Sequence, residues 1–524
     1  MGRIVTIVFA VSLAAGAAAL YAWQLRDAPP YLEIDEVLIG LDARSTARTG
    51  RDLNGRWLPL YFQTAEHSWY QPMVIYATAA ALEILPFDER SIRVPTVAVA
   101  ILDVVLMYLV ALGLFRSATL GAVAALVLIL TPSHFIHARY AMDYLYPVPF
   151  VLGWLLCLIA YRDRRRPRAL AWAGVVLGVG CYSYIASLVM MPLYLALTWI
   201  GLYRSGAPRR MFATVTAPFA AILVPFAVWM IRHPTAFGAT VTKYGLYDSS
   251  RLSAAQGVFS MINLTAVSDR LSQYWNYYNP SFLFFRGPTK VMFSTGRTGV
   301  FLAAVAPLIV IGLIDVVRRA SNDIDDVLVA GFLTAPLAAL IVAEPEAMFR
   351  AMALVPFGVL LAAAGVRALA PRRGGRAAVA LLLALAVVQF AAFRRDYLSG
   401  YRERSAFWLG GNVGGAMEAL IARADRDQAI YFATLQSSAG RIDGRDQYLG
   451  AYWDFYLAKD RRPELAARTA PLSATAVSRM AAGSLVLSNA GNASTAPLVQ
   501  RGELHVVETV PELGGGDGFV ILQR

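Results

Sequence analysis

Apolar runs of nearly membrane-spanning length recur along the first 393 residues, separated by short polar breaks. They fall near 4–23, 93–115, 117–133, 144–161, 168–184, 186–203, 211–231, 298–317, 326–343, 350–368 and 376–393. A helix crosses the hydrocarbon core with about 20 apolar residues. The pattern therefore predicts a polytopic α-helical membrane protein of about 11 spans. A further stretch, 71–86, is apolar but short and carries Glu83. Counting it as a span would invert the topology of everything after it.

The arginines decide between the two topologies. Arg162 to Arg168 form a dense basic loop, and further basic breaks hold Arg204 with Arg209 and Arg210, Arg318 with Arg319, and Arg367 with Arg372, Arg373 and Arg376. With eleven spans and a cytoplasmic N-terminus, all of these face the cytoplasm, as the positive-inside bias requires. Residues 71–86 are then expected as a helix on, or partly in, the outer membrane surface. Ala17 to Ala19 would suit signal-peptide cleavage, but the preceding apolar run is longer than a typical h-region.

Four longer segments are left outside: 24–92, 134–143, 232–297 and the tail 394–524. The tail breaks the pattern. Strand-like runs at 429–434, 484–489, 504–510 and 519–523 are interleaved with helical stretches near 447–459 and 474–482. The expected organisation is a membrane domain over 1–393 followed by a soluble α/β domain over 394–524. Within the first outer segment, residues 36–48 have the apolar spacing of an amphipathic helix, which Gly50 would stop.

Composition sharpens this picture. The chain is 57% hydrophobic and 16% charged, against about 25% charged for soluble domains. The net charge of +12 sits on arginines confined to loops, which membrane topology explains without a nucleic-acid partner. The two cysteines, Cys157 and Cys181, lie inside apolar runs and offer no disulfide framework.

Ionisable groups at membrane depth are costly and usually functional. Asp35 and Glu36 follow the first span, and Asp143 lies on the second outer loop. Arginines accompany both: Arg44 and Arg48 in the first segment, Arg139 in the second, with Arg90 and Arg93 at the start of one span and Arg350 at another. A carboxylate beside cations suits a reaction that deprotonates a hydroxyl and expels an anionic phosphate. Read singly, each of these charges is an ordinary juxtamembrane residue. Residues 274–285 are dense in aromatics, Tyr274 and Trp275 among them, and lead into Arg286. That stretch reads equally as an interface anchor and as a contact surface for lipid or sugar. Glu36, Asp42 and Asp52 suit caps or solvated faces, and Asp103, inside the second span, suits a paired structural acid. His67, His134 and His137 lie near outer surfaces; 134 and 137 share a helical spacing, but no third ligand is spaced to complete a metal site.

Residues 34–63 (IDEVLIGLDARSTARTGRDLNGRWLPLYFQ) and 69–101 (WYQPMVIYATAAALEILPFDERSIRVPTVAVAI) closely resemble the ArnT/protein-mannosyltransferase-like group of GT-C glycosyltransferases. The 134–150 segment, Tyr182 to Ser187, Pro280 to Gly287 and Glu344 to Arg350 are similar to later landmarks of that group, in the same order. The resemblance covers most of 30–350 and leaves the tail uncovered. It implies inverting transfer of a hexosyl or pentosyl unit from a polyprenyl-phosphate donor to a glycan, lipid or protein acceptor. That transfer would occur on the periplasmic face of a bacterial inner membrane. It implies Asp35 as the catalytic acid–base, Asp143 as the second acid, and Arg93, Arg139 and Arg350 as basic positions. Arg44, Arg286, Glu36, Tyr274 and Trp275 join them as expected substrate contacts. Where lipid A aminoarabinose transferases have Glu-Lys-Pro, this chain has Tyr70-Gln71-Pro72. With that acid absent and no D-x-D motif, no cofactor is expected and a divalent metal is not supported. The competing class is a transporter or flippase of a lipid-linked saccharide, which would place ionisable groups near the midplane of repeated halves; here the halves do not repeat.

Overall fold

A computed structural model describes residues 3–63, 69–246, 251, 253–261, 264–319, 323–342, 344–436, 441–516 and 518–524. His67 lies outside the described residues. The chain divides into two compact units, one of 1–23, 50–77 and 93–396, the other of 24–49, 78–92 and 397–524.

The first unit is a bundle of apolar helices. Among the described residues, five segments are long and apolar enough to cross a membrane: Glu89–Phe115, Asp143–Arg164, Ser187–Arg204, Arg209–Arg232 and Gly375–Leu398. Shorter apolar helices include Val8–Ala22, Pro72–Leu82, Ala118–Ile129, Pro167–Gly180, Asp326–Leu340 and Leu354–Leu369, and Ala306–Arg318 adds another. The protein is thus a multi-pass membrane protein, with several spans shorter than their apolar runs. Prolines explain two of these. The run 117–133 stops at Ile129, and Pro132 opens a separate short helix, Pro132–His137. The run 326–343 is interrupted before Pro336, because proline removes a donor and clashes with the preceding turn.

Helix Leu354–Leu369 is buried on every side from Leu354 to Val366, as expected for a helix apolar all round. It crosses Ala306–Arg318 at two glycines. A Cβ at Gly312 would lie 1.8 Å from the Leu361 carbonyl oxygen, and one at Gly365 would lie 2.0 Å from that of Leu308. Small residues let the backbones meet.

The basic loops gather at one end of this bundle. Arg116 pairs with Asp163 at 2.8 Å, Arg204 with Asp326 at 2.6 Å, and Asp315 with both Arg319 and Arg367 at 2.9 and 2.8 Å. The Arg367 guanidinium also lies 5.0 Å from the Phe115 ring centre. At the opposite end of the same helices, Ser133 N–H donates to Val300 O and the Tyr140 hydroxyl to Met292 O.

The second unit carries a five-stranded sheet in the order Thr469–Pro471, Ile430–Phe432, Leu485–Asn489, Phe519–Gln523, His505–Val510. Ile430–Phe432 runs parallel to both neighbours, and the remaining pairs are antiparallel. Its core gathers Ala433, Met480, Val486, Leu498, Leu504 and Leu522. The same unit includes helix Ile34–Thr49 from the first outer segment. That helix ends where Gly50 takes φ +68°, a conformation L side chains rarely adopt.

Candidate functional site

In the first unit, an apolar groove of about 940 Å³ runs between helices. Leu60, Leu102, Leu106, Phe150, Val176 and Val179 line it, together with the rings of Tyr76, Tyr146 and Tyr182. The volume falls within the about 300–1,000 Å³ of sites that enclose a drug-sized ligand.

A polar cluster lies next to the groove residue Tyr146. Asp143 opens the turn Asp143–Leu145, and its carbonyl accepts the N–H of the groove residue Tyr146 at 3.1 Å. The turn packs beside Met348–Arg350. Arg350 is buried, its Nε 3.4 Å from Glu344. Its guanidinium lies 4.8 Å from the Tyr244 ring centre and 5.0 Å from that of Phe349. Tyr184, Tyr244 and Glu344 are its polar neighbours. Lys290 pairs with Glu344. Aromatic rings form the floor: Tyr144 lies 5.5 Å from Tyr184 and 4.9 Å from Phe349, and Phe293 lies 4.8 Å from Phe349. The arrangement suits an anion held by an arginine stacked on aromatic rings.

Asp35 and Glu36 form the first turn of helix Ile34–Thr49 in the second unit, where a helix's N-terminal dipole favours negative charge. Asp35 is half-buried and Glu36 buried. Asp35 N–H donates to Glu33 Oε2 at 2.6 Å, and Glu33 N–H to Glu36 Oε2 at 3.2 Å. Glu33 is half-buried by area, yet its carboxyl group is desolvated. Burial first, and the charge of Asp35 second, push its pKa well above the usual carboxylate range. Three acids at one turn thus include one that favours holding its proton.

The other expected contacts divide. Arg44 lies on the acid-bearing helix with its guanidinium 5.3 Å from the Phe87 ring centre. Arg93 is fully buried. Arg139 is buried and donates from Nη1 to the Tyr21 carbonyl at 2.5 Å, with Phe135 at 5.3 Å; this ties it to the first helix. Arg286 is exposed and follows the turn Ser281–Phe285. Tyr274 donates to Leu333 O at 2.8 Å, whereas Trp275 is 65% exposed, so the aromatic segment is part brace and part free surface. Asp103 is paired, with His134 Nε2 3.3 Å away.

Sequence reasoning gave no role to Glu33, Tyr184, Tyr244, Glu344 or Lys290. Tyr184 and Glu344 stood inside motifs it had singled out, and Glu33 lies two residues before Asp35. Tyr244 and Lys290 carried no local signal.

Among the described residues no group of three or more His, Cys, Asp or Glu side chains could hold a metal ion.

Residues 66–265 match the family model described as dolichyl-phosphate-mannose-protein mannosyltransferase. The chain is similar to ArnT from Cupriavidus metallidurans bound to undecaprenyl phosphate, at 12% identity over 99% of this chain and 97% of that one, with a TM-score of 0.58. It is also similar to the archaeal oligosaccharyltransferase AglB from Archaeoglobus fulgidus, in complex with an inhibitory peptide and a dolichol-phosphate. There the identity is 11% over 92% of this chain and 69% of that one, with a TM-score of 0.52. No curated protein sequence matches the chain. The fold is that of the GT-C glycosyltransferases, a helical membrane body with a C-terminal sheet domain.

Proposed function

We propose that this protein is a glycosyltransferase that moves a sugar from a polyprenyl-phosphate carrier to an acceptor hydroxyl. The observation that carries the reading is the 940 Å³ apolar groove, one of whose lining residues, Tyr146, directly follows the Asp143 turn that packs against Met348–Arg350. In this reading the groove takes the polyprenyl chain and Arg350 its phosphate. Similar structures hold undecaprenyl phosphate and dolichol-phosphate, which supports a lipid-phosphate donor here.

In the reaction, Asp35 takes the proton of the acceptor hydroxyl as general base. The acceptor oxygen forms a bond to the anomeric carbon. The bond from that carbon to the phosphate oxygen breaks on the opposite face, and its electron pair leaves with the polyprenyl phosphate. Configuration inverts. Arg350 stabilises the departing anion by charge-assisted contacts, and Asp143 orients groups at the same phosphate end. No step passes through a metal. The positive-inside bias favours a cytoplasmic position for the basic end of the bundle, which supports transfer on the periplasmic side of a bacterial inner membrane.

Lipid-linked sugar profiling of a strain lacking the protein tests this. One polyprenyl-phosphate sugar accumulates, and one decoration of an envelope glycan, lipid or protein disappears. Unchanged lipid-linked sugars together with unchanged envelope decoration would refute the proposal.

A further inference from the structure

We propose that the C-terminal α/β domain is a working part of the transfer machinery: its helix Leu449–Asp460, through Tyr452, positions the turn that carries Asp35. The inference rests on the reading of Asp35 as general base.

Helix Leu449–Asp460 packs along helix Ile34–Thr49. Tyr452, Phe455 and Lys459 are spaced i, i+3 and i+7, so they share one face. Each meets the first outer segment at a different place. At the top, the buried Tyr452 donates its hydroxyl to the Leu32 carbonyl at 2.9 Å. Midway, Phe455 fills the space over Gly40, where a Cβ would lie 3.0 Å from its ring, and lies 4.5 Å from the ring of Phe87. At the base, Lys459 Nζ is 2.5 Å from both Glu89 and Glu418.

The upper contact bears on the acids. Leu32 stands three residues before Asp35, immediately ahead of the first turn of helix Ile34–Thr49. Burial, then the charges of Glu33, Glu36 and Asp35, keep the Tyr452 phenol protonated, so it remains a donor across the working range. A second tether from the same domain reaches this turn: the Leu513 N–H donates to the Tyr31 hydroxyl at 3.1 Å. Neighbouring Glu512 is held by the Asn412 N–H at 3.0 Å. A domain needed only for stability would require packing against the helix flank. The hydroxyl contact to the Leu32 carbonyl and the tether on the Tyr31 side chain instead hold the chain entering the acid turn.

The test uses full-length protein added to membrane vesicles from the deletion strain, following consumption of the accumulated polyprenyl-phosphate sugar. Tyr452→Phe keeps the ring and removes the hydroxyl. The expected result is an initial rate about tenfold or more below wild type, since small misplacements of a catalytic group carry such costs, with a displaced pH–rate profile. Val486→Ala, in the sheet core, lowers the thermal midpoint but leaves rate and profile unchanged. If Tyr452→Phe fails to accumulate, Tyr31→Phe makes a milder cut through the same turn and is expected to shift rate and profile in the same direction. Asp35→Asn is measured in parallel. Near-wild-type transfer by Asp35→Asn would sink the base assignment itself. Loss in Asp35→Asn alongside wild-type rate and profile in Tyr452→Phe, or in Tyr31→Phe where it stands in, would overturn only the positioning role.

Discussion

His134 Nε2 lies 3.3 Å from Asp103 Oδ2, and the opposite ring nitrogen, Nδ1, lies 3.0 Å from the Tyr21 hydroxyl. Burial, with His137 adding to it, pulls the pKa of His134 down to about 3. The contact is therefore a hydrogen bond to a neutral ring at physiological pH, and it joins three separate helices. Replacing Asp103 by Ala leaves a buried ring nitrogen without this partner, at a cost of about 1–3 kcal/mol. The expected outcome is a lower thermal midpoint in detergent, with transfer per folded molecule unchanged.

Two sets of groups give stability opposite pH dependences. His137 is held neutral by burial, with its pKa down at about 4. A depressed folded pKa means stability present above the ordinary value of 6.5 and lost as pH falls toward about 4. Glu33 is raised well above its ordinary 4.5, so its contribution is complete below that value and is lost as pH rises through the raised pKa. Thermal midpoints measured from about pH 5 to 8 check both signs. Relative to wild type, His137→Gln gains as pH falls, and Glu33→Gln gains as pH rises.

Arg350 is not replaceable by lysine. Its planar guanidinium stacks near Tyr244 and Phe349, a geometry an ammonium does not reproduce. Arg350→Lys is expected to weaken undecaprenyl phosphate binding about tenfold, in line with the 0.5–2 kcal/mol of such contacts. Titration of the protein in nanodiscs measures it. Wild-type affinity would remove Arg350 from the phosphate site.

The groove makes a separate demand. Leu102 lines it and is 47% exposed, so a larger side chain fills the groove with little strain on the bundle. Leu102→Trp is expected to raise the apparent KM for the lipid donor about tenfold, the scale of an apolar mismatch, with the thermal midpoint near wild type.

Local signals made much of this fold legible. Gly50 marked the end of the acid-bearing helix, and four of the five tail strands stood out as β-rich runs. The fifth, Thr469–Pro471, is three residues long and has no pattern to detect. Span lengths were misjudged where hydropathy continues through a break, as at Pro132 and Pro336. Side-chain partnerships were less readable, because partners lie far apart in sequence. Arg139 stood four residues from Asp143 but donates to Tyr21, 118 positions away, and Tyr452 reaches Leu32 across 420. Residues 24–49 and 78–92 of the first outer segment group with the tail in one compact unit, a long-range association that no local pattern carries.

The base assignment is tested most directly by the transfer rate of Asp35→Asn at wild-type protein level in vesicles from the deletion strain. Asparagine keeps the size of the side chain but accepts no proton. The account predicts a rate lower by about 10²–10⁴-fold, with undecaprenyl phosphate still bound. Transfer close to wild type would contradict it.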